Sequence, residues 1–179
     1  MAATSQILDL GEVQESLRLL SLDMSTSLDV LIDVATEQLE AATQRRFLTQ
    51  TLDWTLNGWS SELVIPVAPV ASVTSVKYRD ADNVEQTLAA SQYVVYSQGQ
   101  ATRIRAAFGT VWPDLSDDAV NAVTVRFVVG TATASAKVKQ AALVLIHMMH
   151  DNPTLADVPM APSGLPVPVE NLIASERWT

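Results

Sequence analysis

The sequence SAKVKQAALVLIHMMHD, at residues 135–151, decides the fold of this chain. Ser135 can cap the start of a helix, and Pro153, which has no backbone N–H, ends it. Apolar side chains occupy all of its faces, so its own domain, a neighbouring subunit or lipid must cover it. We exclude lipid because the apolar run is too short for a membrane span and contains His147 and His150. We therefore predict a central core helix, which can also serve a subunit interface.

Composition limits the function classes. The chain has 179 residues, which suits one domain or a domain with an extension. Twenty acidic against eleven basic residues give a formal net charge of −9, which disfavours a surface that binds phosphates throughout. The sequence has no cysteine, and this excludes disulfides and thiolate metal sites. The N-terminus has no basic segment before an apolar run, so we expect no secretory signal.

Two helices are predicted before residue 50. Asp9 with Glu12 forms a capping-box pattern, and Thr26 with Asp29 repeats it before the second helix. Opposite its apolar stripe, the second helix has an acidic face: Asp29, Asp33, Glu37 and Glu40. This acidic face is either a solvated surface or the lining of a larger structure.

The hydrophobic period changes to two between about residues 50 and 130. The clearest strand is at residues 121–129, where alternate apolar side chains face one way. Short strands at hairpin-like spacing favour an antiparallel sheet over a βαβ array. We therefore predict an α+β fold. It is a helical bundle of two N-terminal helices, one long central helix and a short C-terminal helix, with a small antiparallel β-sheet inserted.

The predicted domain organisation is a core followed by a tail. Residues 1–152 form the helical core, with the β insert at about 50–130, and residues 153–179 form a proline-rich extended tail with a short terminal helix. Leu172, Ile173 and Trp178 make the end of this tail apolar. Chain ends are poorly ordered unless they are tied down, so we expect the tail to dock on a partner or back on its own domain.

Lys137 and Lys139 in the first turn of the central helix and Asp151 in its last turn all oppose the helix dipole. Charged side chains that oppose the helix dipole without a visible compensating interaction can mark a contact surface, although a solvent-exposed helix face also tolerates such charges. The resulting candidate subunit interface comprises Lys137, Lys139, Leu143, Ile146 and His150.

No constellation in the sequence indicates an active site. His147 and His150 with Asp151 have the side chains of a zinc site. However, helical ligand pairs of zinc proteases stand four apart with a glutamate after the first, and that glutamate is absent. The sequence also lacks a glycine-rich phosphate loop and a nucleophile elbow. We expect no catalytic residue, no cofactor and no metal.

Seven segments follow one another in an order typical of one family. They are LGEVQESLRLL at 10–20, LIDVATEQLEAATQRRFLTQT at 31–51, PVASVTSVKYRDADNVE at 69–85, WPD at 112–114, AVTVRFVVGT at 122–131, VKQAALVLIHMMHDNP at 138–153 and LPVPVENLIASERW at 165–178. With this series the chain resembles the head–tail connector, or adaptor, proteins of long-tailed bacteriophages and prophages. The resemblance covers nearly the whole chain. One departure is His-Met-Met-His at 147–150, where the family leads us to expect an aromatic residue.

The resemblance implies a structural virion protein without enzymatic activity. It implies a ring of about twelve subunits in the neck of the virion, assembled in the cytoplasm of the host bacterium. The implied partners are the portal on one side and a stopper, head-completion or tail-terminator protein on the other. Genome DNA would pass through the ring without sequence-specific binding, and no membrane is involved.

The same resemblance assigns roles to residues. It makes the tail the portal-binding element, through Leu165, Val169, Leu172, Ile173, Arg177 and Trp178. It makes the acidic face a candidate lumen surface, because like charge repels DNA phosphates. Two alternatives stay open: a small metal-dependent hydrolase that uses His147, His150 and Asp151, and an oligomeric binding module outside viruses.

Overall fold

A computed structural model describes residues 6–18, 25–117, 119–152 and 159–177. Within these residues the helices are α1 (Leu10–Ser16), α2 (Ser25–Thr43), α3 (Ala136–Asp151) and α4 (Val167–Ile173). The strands are β1 (Gln50–Leu56), β2 (Leu63–Val64), β3 (Val70–Arg79), β4 (Glu85–Thr87), β5 (Tyr93–Gln98), β6 (Ala101–Ala106) and β7 (Val123–Val129). The chain divides into two compact units. Residues 1–48 with 132–179 form the helical unit, and residues 49–131 form the sheet unit.

The predicted fold class, a helical bundle with one small inserted sheet, is wrong. The described strands form two antiparallel sheets, one of four strands in the order β1-β7-β3-β4 and one of three in the order β2-β6-β5. Their combined length is comparable to that of the helices. Both sheets contribute to one buried core of their own, which includes Ile104 and Phe127. Alternation along the chain predicted the strands, but it does not say how many sheets they form or that the sheets bury each other.

Helix α3 is the centre of the helical unit, and the predicted core helix is confirmed. The Ser135 hydroxyl caps it by accepting a hydrogen bond from the Val138 N–H at 3.3 Å. The side chains that α3 buries in the core of this unit are Val138, Ala141, Ala142, Leu145, Ile146 and Met149. They pack with buried side chains of α2 and α4, including Ile32 and Val169. The apolar run therefore serves mainly the chain's own core.

The first two helices begin close to their predicted starts. The capping box of α1 is confirmed: Asp9 Oδ1 accepts from the Gly11 N–H at 2.8 Å, and Glu12 Oε2 accepts from the Asp9 N–H at 3.1 Å. Helix α2 begins at Ser25, so the predicted cap Thr26 lies inside the helix. No helix in the described ranges is both long enough and apolar enough to span a membrane.

The predicted strand at residues 121–129 is confirmed as β7, which pairs antiparallel with β1 on one side and β3 on the other. Its side chains alternate, with Val123, Val125, Phe127 and Val129 buried in the core of the sheet unit. On the opposite face, Arg126 forms a bidentate ion pair with Asp53 of β1, at 2.7 and 2.6 Å. The sheet unit thus has a dry inner face and a charged outer one.

Candidate interaction surfaces

An open groove runs along the part of α3 that the core does not cover. Its floor is apolar, with the half-buried side chains of Leu143, Val144 and Met148, and its volume is about 540 Å³. The end of α1 forms a wall, where Ser16 Oγ and His147 Nε2 lie 2.7 Å apart in a hydrogen bond. We call this feature the α3 groove. It presents apolar surface beside a hydrogen-bonded serine–histidine pair.

The predicted subunit interface is divided by the structure. Leu143 lies in the α3 groove, whereas Ile146 is fully buried in the core of the helical unit. Lys137 Nζ donates to Ser175 Oγ at 3.0 Å, outside the groove. His150 Nδ1 lies 3.2 Å from Asp151 Oδ1. Of the five residues, the described structure places Leu143 alone in the lining of the groove.

The position of Lys139 near the N-terminus of α3 has an internal explanation. Its Nζ lies 3.2 Å from both carboxylate oxygens of Glu12 on α1. Hydrogen bonds from the Asp9 backbone N–H and from Lys139 hold the pKa of Glu12 below its ordinary value. The lysine that opposes the helix dipole therefore joins α3 to α1 by an ion pair, a gain that periodicity along one helix does not reveal.

The zinc-ligand candidates do not come together as a site. His147 bonds to Ser16, and His150 bonds to its neighbour Asp151. In the described part of the chain, no group of three or more His, Cys, Asp or Glu side chains is placed to hold a metal ion.

The tail is docked on its own unit. Leu165, Val169 and Ile173 are buried in the same core as α3, and Leu172 packs against that core. Arg177 forms an ion pair with Glu170 at 2.6 Å. Trp178 lies outside the described residues. Four of the side chains predicted to bind the portal, Leu165, Val169, Leu172 and Ile173, thus contact the core of the helical unit, while Val167 stays exposed (38%).

The acidic face of α2 is partly used within the helical unit. Glu40 accepts from Arg46 at 2.7 Å and from the Phe47 N–H at 2.9 Å, which ties it to the end of the helix. Asp33 and Glu37 are exposed and Asp29 is half-buried. Asp33 also accepts from Gln6 Nε2 at 3.2 Å. Three of the four acids therefore remain available to repel a polyanion.

A surface that the sequence did not predict lies after β6, at residues 107–111, which we call the Phe108 turn. Phe108 is fully exposed (106%) and Val111 is 85% exposed. The Ala107 carbonyl accepts from both the backbone N–H and the hydroxyl of Thr110, at 3.0 and 2.7 Å. Gly109 has φ +78°, a conformation that glycine adopts without steric cost. In the sequence, Gly109 next to Phe108 indicates a turn. A turn alone does not show whether the phenylalanine side chain is buried or exposed.

Solved structures show what this arrangement is similar to, whereas no family model and no curated protein matches the sequence. A chain in the neck of an empty gene transfer agent particle, described with C6 symmetry, superposes with a TM-score of 0.78 at 23% identity. That match covers 97% of this chain and 90% of the other. A chain of the native gene transfer agent virion gives 0.77 at 23% identity, over 97% and 90% of the two chains.

A chain in the neck of a native gene transfer agent particle, described with C12 symmetry, matches with a TM-score of 0.67 at 20% identity, over 98% of this chain and 94% of the other. These matches span both units of the chain and nearly its whole length. The resemblance to head–tail connector proteins is thereby confirmed at the level of the fold: this chain has the fold of proteins from the neck of phage-like gene transfer agent particles.

Proposed function

We propose that this protein is a structural component of the neck of a phage or phage-like virion. In this proposal it forms an adaptor ring between the portal and a stopper, head-completion or tail-terminator protein. The observation that carries the proposal is the structural match to a protein of a gene transfer agent neck, which covers 97% of this chain. The match covers both the helical unit and the sheet unit. A single widespread motif would not produce it, since the helices and the strands match in the same superposition.

The ring is supported by the symmetry of the neighbours, which come from necks described with C6 and C12 symmetry. Identical subunits in a ring meet through two different patches, one on each side of every subunit. We propose about twelve copies, each contributing the half-buried apolar side chains of the α3 groove to a contact between subunits.

The lumen of the ring must let DNA pass without holding it. We propose that the exposed acids of α2, Asp33 and Glu37 with half-buried Asp29, face this lumen. Like charge repels the phosphates, and the chain's net charge of −9 acts in the same direction. The proposed role is non-enzymatic and requires no cofactor.

The portal contact is assigned to the tail in its docked position. Because Leu165, Val169 and Ile173 belong to the core, they would support this contact from below. The exposed side chain of Val167, together with the partly exposed side chains of Leu172 and Arg177, would meet the portal. This is a surface contact on a preformed helix, and it requires no unfolding of the tail.

The test is complementation in the virus or prophage that encodes the chain. Particles made without it should separate into DNA-filled heads and free tails, counted by electron microscopy, and the wild-type gene should restore joined particles. Val167→Asp should keep the wild-type melting temperature and fail to restore joining, whereas Val84→Asp, at an exposed position between β3 and β4 of the sheet unit, serves as the matched substitution. Joined, infectious particles in the absence of the protein would contradict the proposed function.

A further inference from the structure

We propose that the Phe108 turn of each subunit docks in the α3 groove of the next subunit. This inference rests on the proposed function, because a contact between two different patches of identical chains gives a ring when its rotation closes, and the proposed function supplies that closed ring. It names the two surfaces that meet, one on the sheet unit of one copy and the other on the helical unit of its neighbour.

The turn has the properties of a binding anchor. An exposed phenylalanine beside an exposed valine is apolar surface that the folded chain leaves in water. The turn is nevertheless held firmly: the Ala107 N–H donates to the Gln92 carbonyl at 2.9 Å. Rigid aromatic side chains that enter a pocket carry much of the energy of protein interfaces, because little conformational entropy is lost when they bind.

The next residue along the chain braces the turn further. Trp112 stacks on Trp59, with ring centroids 4.5 Å apart and planes at 7°. The Trp112 indole N–H donates to the Ser60 carbonyl at 2.8 Å, and the Trp59 indole N–H donates to the Pro113 carbonyl at 2.9 Å. The exposed Phe108 is thus presented by a turn anchored at both ends.

The α3 groove has the size and chemistry to receive it. A cavity of about 150 Å³ accommodates benzene, so a groove of about 540 Å³ has room for a phenylalanine ring and the valine beside it. Leu143 and Val144 provide apolar contact, and the flexible thioether of Met148 adapts to aromatic rings.

Charge at the two surfaces is complementary. Arg105 precedes Phe108 by three residues, is exposed, and stacks its guanidinium 5.5 Å from the centroid of the Tyr96 ring. It forms no ion pair within the described residues. Asp151 lines the groove with 74% of its side chain exposed. In a chain of net charge −9, subunits repel one another, so a basic side chain opposite an acidic one selects the proposed pairing.

The proposed occupant of the groove is a second copy of this chain, because one chain carries both complementary surfaces and its structural neighbours come from symmetric rings. The portal or the tail-side protein would be the alternative occupant. The experiment below distinguishes the two by the mass of the product.

Thiol cross-linking gives the direct test, since the chain has no cysteine of its own. Particles should be made from an equal mixture of two single variants, Phe108→Cys and Met148→Cys, and treated with a short bifunctional maleimide. We expect a dimer of this chain on denaturing gels. The matched control pairs Val84→Cys, which is exposed between β3 and β4 of the sheet unit, with Met148→Cys and should give no dimer.

The outcomes separate the inference from the proposed function. Rings seen by electron microscopy without the 108–148 dimer would overturn the inference and leave the ring intact. A product joining Phe108→Cys to a different virion protein would overturn it as well. The absence of any ring would overturn both.

Charge exchange gives an independent test. Arg105→Asp and Asp151→Arg should each reduce the yield of joined particles at least about tenfold, because each places like charges together. The double variant should restore most of the yield. Both single variants should keep the wild-type melting temperature, since the two side chains are exposed. Equal defects in the single and double variants would overturn the proposed pairing.

Discussion

The helical unit and the sheet unit use their apolar side chains differently. The helical unit is assembled from both ends of the sequence, and three of the tail residues predicted to bind a partner, Leu165, Val169 and Ile173, lie in its core. The sheet unit is one continuous segment with its own core, and it leaves Phe108 and Val111 in water. The comparison teaches that an apolar segment with helical spacing is first used for the chain's own folding. Apolar side chains left unburied in a firmly held turn are the better indication of a partner.

Truncation of one core side chain in the sheet unit should give the largest loss in the free energy of unfolding. Phe127→Ala removes the largest buried side chain of this unit and should lower the free energy of unfolding by about 3–5 kcal/mol. With Trp178 replaced by phenylalanine, the remaining three tryptophans all lie in the sheet unit, so urea unfolding followed by fluorescence then measures that unit. Phe108→Ala is the matched control and should change stability by less than about 0.5 kcal/mol. Similar losses in the two variants would show that Phe108 is not in water.

The helical unit should lose stability when the tail is trimmed. Ile173→Ala creates a cavity where α4 meets the core, and we expect a loss of about 2–5 kcal/mol, measured by circular dichroism at the helical band. Val167→Ala on the exposed side of α4 should cost far less. For the same reason, deletion of residues 165–177 should destabilise the whole unit. An Ile173→Ala variant as stable as the wild type would mean that the tail is not docked in solution.

The start of α3 provides a smaller effect within the helical unit. Ser135→Ala removes the acceptor for the Val138 N–H and should cost about 1 kcal/mol. Ser135→Asp keeps an acceptor at the cap and should retain most of the stability. If both substitutions cost the same in thermal unfolding, the side-chain cap does not contribute.

The smallest effect is expected on the outer face of the sheet unit. Arg126 lowers the pKa of Asp53 through their hydrogen bonds. A lowered pKa means that the pair's contribution is present above the unfolded value of about 3.9 and is lost as pH falls through the folded value. Both side chains are about half exposed, so solvent screens the pair and Asp53→Asn should cost about 0.2–1 kcal/mol at neutral pH.

The pH and salt dependence check that assignment. The difference in unfolding free energy between the wild type and Asp53→Asn should shrink from pH 7 to pH 3 and also with added salt. A difference that stays constant across both series would point to packing instead of charge. Asp33→Asn, on the solvent-facing side of α2 in the other unit, is the matched acidic control.

Short-range features of this fold follow from the sequence. The cap at Ser135, the capping box of Asp9 with Glu12 and the alternation along β7 all involve residues within a few positions of one another. Hydrogen bonding and periodicity act over that distance, so these predictions are confirmed. The order of the segments was also sufficient to indicate the resemblance to connector proteins, which the fold of the neck proteins now supports.

Only the tertiary structure decided how distant segments meet. It divided the strands into two sheets and buried Val169 and Ile173 in the core of the helical unit. It also joined Lys139 to Glu12 and left Phe108 exposed to solvent. None of these is visible in a local pattern, because an apolar residue has the same spacing whether its own chain or a neighbour covers it. Which of the two occurs depends on the competition of all buried surfaces for the same partners, and that competition is resolved only when the whole chain packs.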